Sequence, residues 1–197
     1  GMGPTHSQSL QALFSHMPGI KVVMPSNPYD AKGLFINAIE DPNPVLFIEQ
    51  YKCYSTKDDV PLEKYTIDFG KGKIVKEGAD LTIVSCGYLV QQALEAANIV
   101  AEKGINVEVL DLRSLYPLDQ DLILKSVTKT GRLIVADPGH KTNGLSAEIC
   151  AIVSENIQNK LLSNIIRIAF PDAPTPASNA LEKFYYPMCN DIVNAIT

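Results

Sequence analysis

An α/β fold with a mostly parallel sheet covered on both faces follows from three features of this 197-residue sequence. Four short apolar runs, LTIVSC (81–86), VEVLDL (107–112), RLIVAD (132–137) and IIRIAF (165–170), are dense in Val, Ile and Leu, as strands buried on both faces are. Between them lie helix-periodic stretches over residues 90–103, 119–130 and 145–161, long enough to be crossover helices. Turn-forming residues separate the two kinds of segment. The predicted domain is therefore a three-layer α/β/α sandwich over residues 79–197.

A smaller α/β unit precedes it. Leu10, Leu13, Phe14 and Met17 keep helical spacing from Ser7 onward, and Pro18-Gly19 ends that helix before the extended run IKVVM (20–24). Asn27 is placed to cap the next helix, with Pro28 at its first position and Asp30 three residues after the cap. That helix runs to about Glu40, and PVLFIE (44–49) forms a strand. Charged and turn-prone residues such as STKDDVPLEKY and FGKGKIVKEG follow, so residues 55–78 are taken as a crossing and residues 3–54 as a partial α/β unit. Past Phe170, the prolines of PDAPTPAS bar regular structure, and a last helix is expected from about Ala180 to Ile196.

The formal charge of −5, without a Lys/Arg stripe, argues against nucleic acid. No apolar run approaches a membrane span, so no membrane partner is expected. Cys53, Cys86, Cys150 and Cys189 lie far apart without a C-x-x-C pair, the usage of reduced thiols in a cytoplasmic protein. Neither cysteine nor serine has the spacing of a hydrolase nucleophile.

Four places could carry chemistry. With Ser7 read as a helix N-cap, His6 sits beside the positive helix end among free backbone N–H groups. That setting disfavours imidazolium and leaves a ring able to exchange one proton beside a substrate carboxylate. On spacing alone, an exposed histidine near a terminus is the stronger interpretation. In NAIEDPNP (37–44), the carbonyls of Ala38 and Ile39 end a helix beside Asp41 and Asn43, an oxygen set for a hard cation. Taken alone, a turn without an ion is preferred. DLRSLYPLD (111–119) follows a strand, with Arg113 available to pair with Asp111 or bind an anion and Asp119 to cap the next helix. DPGHKTNGLSAE (137–148) is a polar loop with His140 and Lys141 but without a nucleotide fingerprint; its plain interpretation is a surface loop with Asn143 starting a helix.

Taken in order, HSQSL, PGIKVVMPSNPYDAKGL, AIEDPNPVLFIE, DLRSLYPLD, TGRLIV, GLSAEI, PDAPTPAS and LEKFYYP cover almost the whole chain. The set resembles the β subunit of the thiamine-diphosphate-dependent E1 component of 2-oxoacid dehydrogenase complexes. The resemblance implies that residues 3–54 close the pyrimidine-binding domain and that the transketolase C-terminal-like domain follows. His6 falls on the family's active-site histidine, which orients the 2-oxoacid carboxylate and assists acyl transfer to lipoamide. Ala38, Ile39, Asp41 and Asn43 fall on the family's potassium loop, reversing the preference for an empty turn.

By the same resemblance, the glutamate that activates the thiamine ring lies upstream of this sequence. The diphosphate and magnesium belong to the α subunit, so no cofactor-binding residue is assigned here. The implied partners are an α subunit, a second β subunit and the lipoyl acyltransferase E2. A sheet lacking its first strands should expose an edge and an apolar helix face, favouring association. The GHKTNG stretch varies within the family; His140 at most lines a substrate or lipoyl entrance. Two rivals stand beside this expectation: a non-catalytic module for dimerisation or E2 docking, and a fragment of another transketolase-like enzyme.

Overall fold

The computed structural model describes residues 2–197. The smaller unit begins with two short helices, α1 (Gly3–His6) and α2 (Gln11–Ser15), then β1 (Lys21–Val23), α3 (Pro28–Glu40), β2 (Val45–Phe47) and a 3-10 turn at Tyr51–Cys53. Asn27 caps α3 as its sequence position requires, its side-chain oxygen accepting the Asp30 N–H at 2.8 Å. The single helix expected from Ser7 is instead two pieces. Ser7 is the C-cap of α1, with its N–H closing on Gly3 O, and α2 opens only after Leu10. Pro4 at the second position of α1 and the positive φ of Gly3 start a turn earlier than the apolar pattern does.

The chain continues through β3 (Lys73–Lys76), β4 (Leu81–Ser85), α4 (Tyr88–Ala101), β5 (Val107–Asp111), β6 (Ser114–Tyr116), α5 (Gln120–Thr130), β7 (Leu133–His140), α6 (Leu145–Ile157), β8 (Ile166–Phe170), α7 (Asn179–Glu182) and α8 (Cys189–Ile196). The larger sheet has the order β3-β5-β4-β7-β8, parallel except for the antiparallel edge strand β3. Alternate residues of β4 and β7 feed two cores. Leu81, Ile83, Ile134 and Ala136 pack with α4 and α8 on one face, while Val84, Leu133 and Val135 pack with α5 and α6 on the other. The three-layer arrangement follows from this two-sided burial. Asp119 caps α5 through the Leu122 N–H at 3.2 Å.

Three boundaries differ from the sequence expectation. The helix expected over residues 180–196 is broken: α7 ends at Glu182 in turns, and Pro187, which has no N–H to donate, precedes the extended Met188 at which the chain restarts as α8. Residues 55–78 contain β3, which pairs with β5. The rest of this crossing lies along α3: Ile67 N–H bonds Gly33 O, Asn37 Nδ2 bonds Ile67 O, and Tyr65 stacks on Tyr29 at 4.7 Å. Finally, β6 leaves the larger domain to pair antiparallel with β1, giving the small sheet the order β2-β1-β6. Strand β2 is the open edge of that sheet, and Phe35 and Ile39 of α3 are exposed beside it.

Candidate active-site junction

The carboxyl ends of β4, β5, β7 and β8 meet the smaller unit, and each end is tied to it or closed by polar groups. At β4, the backbone turns through Gly87 (φ 55°) into α4, which has no cap of its own. Gln50 supplies one from the other unit, its Oε1 accepting the Tyr88 N–H at 2.8 Å. A Cβ on Gly87 would stand 1.9 Å from that oxygen, so the close approach needs glycine here.

At β5, Asp111 is fully buried and accepts the Arg113 N–H at 3.0 Å and the Ser26 hydroxyl. Burial pushes its carboxyl up to about 6; the Ser26 hydrogen bond pulls the other way, and the Asp30 charge adds to the rise. Arg113 neither pairs its side chain with Asp111 nor faces an open anion site. With φ at 59° it turns its guanidinium onto Asp30, bonding at 2.9 and 2.5 Å. Asp30 is wholly enclosed and also receives Asn27 Nδ2 at 2.8 Å. The Met24 N–H bonds Arg113 O at 2.9 Å, completing a polar seam between the units.

At β7, Asp137 is buried and caps α6 through the Ser146 N–H at 2.9 Å. Its other oxygen accepts Gln11 Nε2 from α2 at 3.3 Å. Burial raises the Asp137 carboxyl, against the Ser146 and Gln11 hydrogen bonds that lower it. Asn143 does not start the helix: it sits at φ 53°, and Gly144 is the N-cap. The His140 ring is held by Pro171 O at 3.0 Å and stands edge-on to Phe170 and Tyr185.

His6 lies on the same side of the molecule. It closes α1 instead of preceding a helix, so the positive-dipole argument for its ring does not apply. The side chain is exposed. Its neighbour Ser7 is held by the loop after β8: Thr175 Oγ1 donates to Ser7 O at 3.3 Å. The Tyr186 phenol, raised by burial, feels an opposing hydrogen bond from Ser7.

Ala38, Ile39, Asp41 and Asn43 form a separate place. Asp41 is tied by Lys21 at the amino end of β1, whereas Met24, past its carboxyl end, reaches the junction. The Asp41 side chain binds Lys21 and accepts the Asn43 N–H and Nδ2 at 2.9 and 3.0 Å. The Lys21 hydrogen bond holds the Asp41 carboxyl below its ordinary range. Two helix carbonyls thereby lose their usual partners. Pro42 has no N–H for Ala38 O, and the Asn43 N–H that would serve Ile39 O is turned to Asp41. Together with Asn43 Oδ1, these oxygens suit a hard monovalent cation better than a transition metal. Among the described residues, no cluster of three or more His, Cys, Asp or Glu side chains could hold a metal ion.

Gln11, Gln50 and Thr175, and the buried partners of Asp30 and Asp137, escaped the sequence reading. Asn27-Pro28-x-Asp30 announced a cap but not that Asp30 would receive an arginine from residue 113; the other contacts also join residues far apart in sequence. All four cysteines are free thiols. No helix among the described residues is long and apolar enough to cross a membrane.

Residues 70–192 match the sequence profile of the transketolase C-terminal domain, and residues 1–56 that of the transketolase pyrimidine-binding domain. The chain is 47% identical over 189 residues to the acetoin:2,6-dichlorophenolindophenol oxidoreductase subunit beta of Bacillus subtilis, covering 96% of this chain and 55% of that protein. It is 44% identical to the pyruvate dehydrogenase E1 component subunit beta of the same organism, covering 95% and 58%, and 41% identical to its 2-oxoisovalerate dehydrogenase subunit beta, covering 91% and 56%. The chain thus spans little more than half the length of these curated relatives. Among solved structures, a split gene transketolase described as an inactive beta4 tetramer superposes with a TM-score of 0.79 at 27% identity, covering 94% of this chain and 59% of that one.

Proposed function

The chain belongs to the family of transketolase C-terminal domains, and on that premise we propose that it is the C-terminal portion of a β subunit of a thiamine-diphosphate-dependent 2-oxoacid dehydrogenase. With an α subunit, the whole enzyme would decarboxylate a 2-oxoacid oxidatively and pass the acyl group to lipoamide. The observation that carries this proposal is the match, over nearly the full chain, to β subunits named for acetoin, pyruvate and 2-oxoisovalerate.

His6 is the residue to which we give the chemistry. Its exposed ring, on a segment seated against the carboxyl edge of the sheet, is free to hydrogen-bond a substrate carboxylate and to hold or release one proton there. Thiamine diphosphate would supply stabilisation of the carbanion that decarboxylation leaves. The magnesium that accompanies the diphosphate we place on the α subunit. Ala38, Ile39, Asp41 and Asn43 would hold a potassium ion through oxygens, in keeping with the two helix carbonyls left without N–H partners. Its role is to fix the end of α3.

The complete protein would act in the cytoplasm as a heterotetramer, with a second β subunit and the lipoyl acyltransferase E2 as further partners. A second reading, a non-catalytic assembly module, draws on the β-only, inactive tetramer of the structural neighbour. One experiment separates the two. The chain is fused to the upstream half of the Bacillus subtilis acetoin-oxidoreductase β subunit and co-expressed with the matching α subunit. Light scattering then gives the assembly, calorimetry the binding of thiamine diphosphate with magnesium, and dye reduction the activity on acetoin, pyruvate and branched-chain 2-oxoacids. Binding and turnover support the enzyme; assembly without either supports the module.

A further inference from the structure

Three hydroxyl contacts converge one residue past His6. Thr175 Oγ1 donates to Ser7 O at 3.3 Å and lies 3.2 Å from the Tyr185 hydroxyl, which donates to Ala173 O at 3.1 Å. Thr175 and Tyr185 are only 2% and 5% exposed, so bulk water offers no ready substitute for these bonds. Counting protons limits their roles. The two hydroxyls own one proton each, whereas the carbonyls of Ser7 and Ala173 can only accept. The Tyr185 proton goes to Ala173 O, so the single Thr175 proton is shared among Ser7 O, the Tyr185 hydroxyl and the Tyr186 phenol.

The segment carrying His6 depends on such contacts. Helix α1 is a single turn without a side-chain cap, too short to persist unaided. Its two ends touch the loop after β8: a Cβ on Gly3 would stand 3.3 Å from Ala177 Cβ, and Ser7 O takes the Thr175 proton. Thr175 lies between Pro174 and Pro176; the proline after it favours extended backbone, and the ring constraints stiffen the loop before it meets α1.

We propose that Thr175 is a positioning residue for His6: from the larger domain, its hydroxyl anchors the backbone on which the histidine ring is aimed. This rests on the proposal that His6 serves catalysis. Because the effect passes through backbone placement, its loss should lower turnover and leave the affinity for the 2-oxoacid alone.

The test uses the fused, α-assembled enzyme for kinetics and the present chain for histidine side-chain NMR. Thr175→Val, which keeps the shape and removes the hydroxyl, should lower kcat about tenfold at unchanged KM and increase motion of the His6 ring, with the thermal midpoint little altered. Thr175→Ser should restore both readouts. Tyr185→Phe should keep kcat within about twofold, because it removes a competitor for the Thr175 proton and leaves Ser7 O in place. The proposal is overturned if Thr175→Val leaves kcat and His6 motion unchanged, if serine fails to rescue, or if Tyr185→Phe does equal harm. Should the assembled enzyme show no turnover, the catalytic assignment of His6 fails on its own. The NMR comparison still decides the anchor: increased His6 motion in Thr175→Val supports it, and unchanged motion overturns it.

Discussion

Replacing Asp111 with asparagine should stabilise the protein at pH 8 and change little at pH 4. The Asp111 carboxyl is fully enclosed at the junction, and burial pushes it up to about 6 from its ordinary 3.8. The native state therefore keeps its proton over a range where the unfolded chain has lost it. Across that range the native state binds more protons, so the free energy of unfolding falls as pH rises from about 4 to about 6 and is level above it. A difference of roughly two pKa units corresponds to about 3 kcal/mol lost by the wild type. Asparagine avoids that loss because it has no charge to bury. Its carbonyl can still accept the Arg113 N–H, now at 3.0 Å, and its amide can donate to the Ser26 hydroxyl. Guanidinium unfolding of both proteins at pH 4, 6 and 8, followed by circular dichroism, measures the difference, in which distant titrating groups cancel. The variant should gain up to about 3 kcal/mol at pH 8 and nearly nothing at pH 4. A variant that loses stability at pH 8, or whose difference from wild type is the same at every pH, refutes the reasoning.

Removing the partner of an enclosed charge should act in the opposite direction. Arg113→Met leaves the Asp30 carboxylate with Asn27 Nδ2 but no counter-charge, and should cost about 3–5 kcal/mol in denaturant unfolding; a loss below 1 kcal/mol would contradict it. Gly87→Ala meets both a positive φ and the Gln50 amide, and should lose about 1–3 kcal/mol, with exposure of the Tyr88 amide seen by hydrogen exchange. The thermal midpoint should rise with KCl more than with choline chloride, since only potassium fits the carbonyls of Ala38 and Ile39. Pro42→Ala, which offers Ala38 O an N–H, should weaken that dependence; equal responses to both salts would count against the ion.

How much could be read in advance depended on the range of the contacts. The strands of the larger sheet were legible because β4, β5 and β7 are buried along their length and, together with the half-buried edge strand β8, are dense in Val, Ile and Leu. Asn27 and Asp119 announced their helices because a cap acts over three residues. β3 was hidden: KIVK is a short, half-exposed edge strand that carries charge at both ends. β6 was hidden for another reason, since Ser114–Tyr116 is a strand only through β1, some ninety residues away. For the candidate site, the ordered motifs pointed to His6, but a one-turn helix before the apolar pattern was invisible in periodicity. Nothing local told that Gln50 would cap α4 or that Thr175 would reach Ser7.

The assignment of catalysis to His6 is tested most directly by dye-linked oxidation of a 2-oxoacid or acetoin by the α-assembled, fused enzyme, with His6 intact and with His6→Gln. The expected result is turnover that requires thiamine diphosphate and falls about a hundredfold or more in the variant, while the unfolding midpoint stays put because the ring is exposed. Equal turnover in the two proteins, or none that depends on thiamine diphosphate, would contradict it.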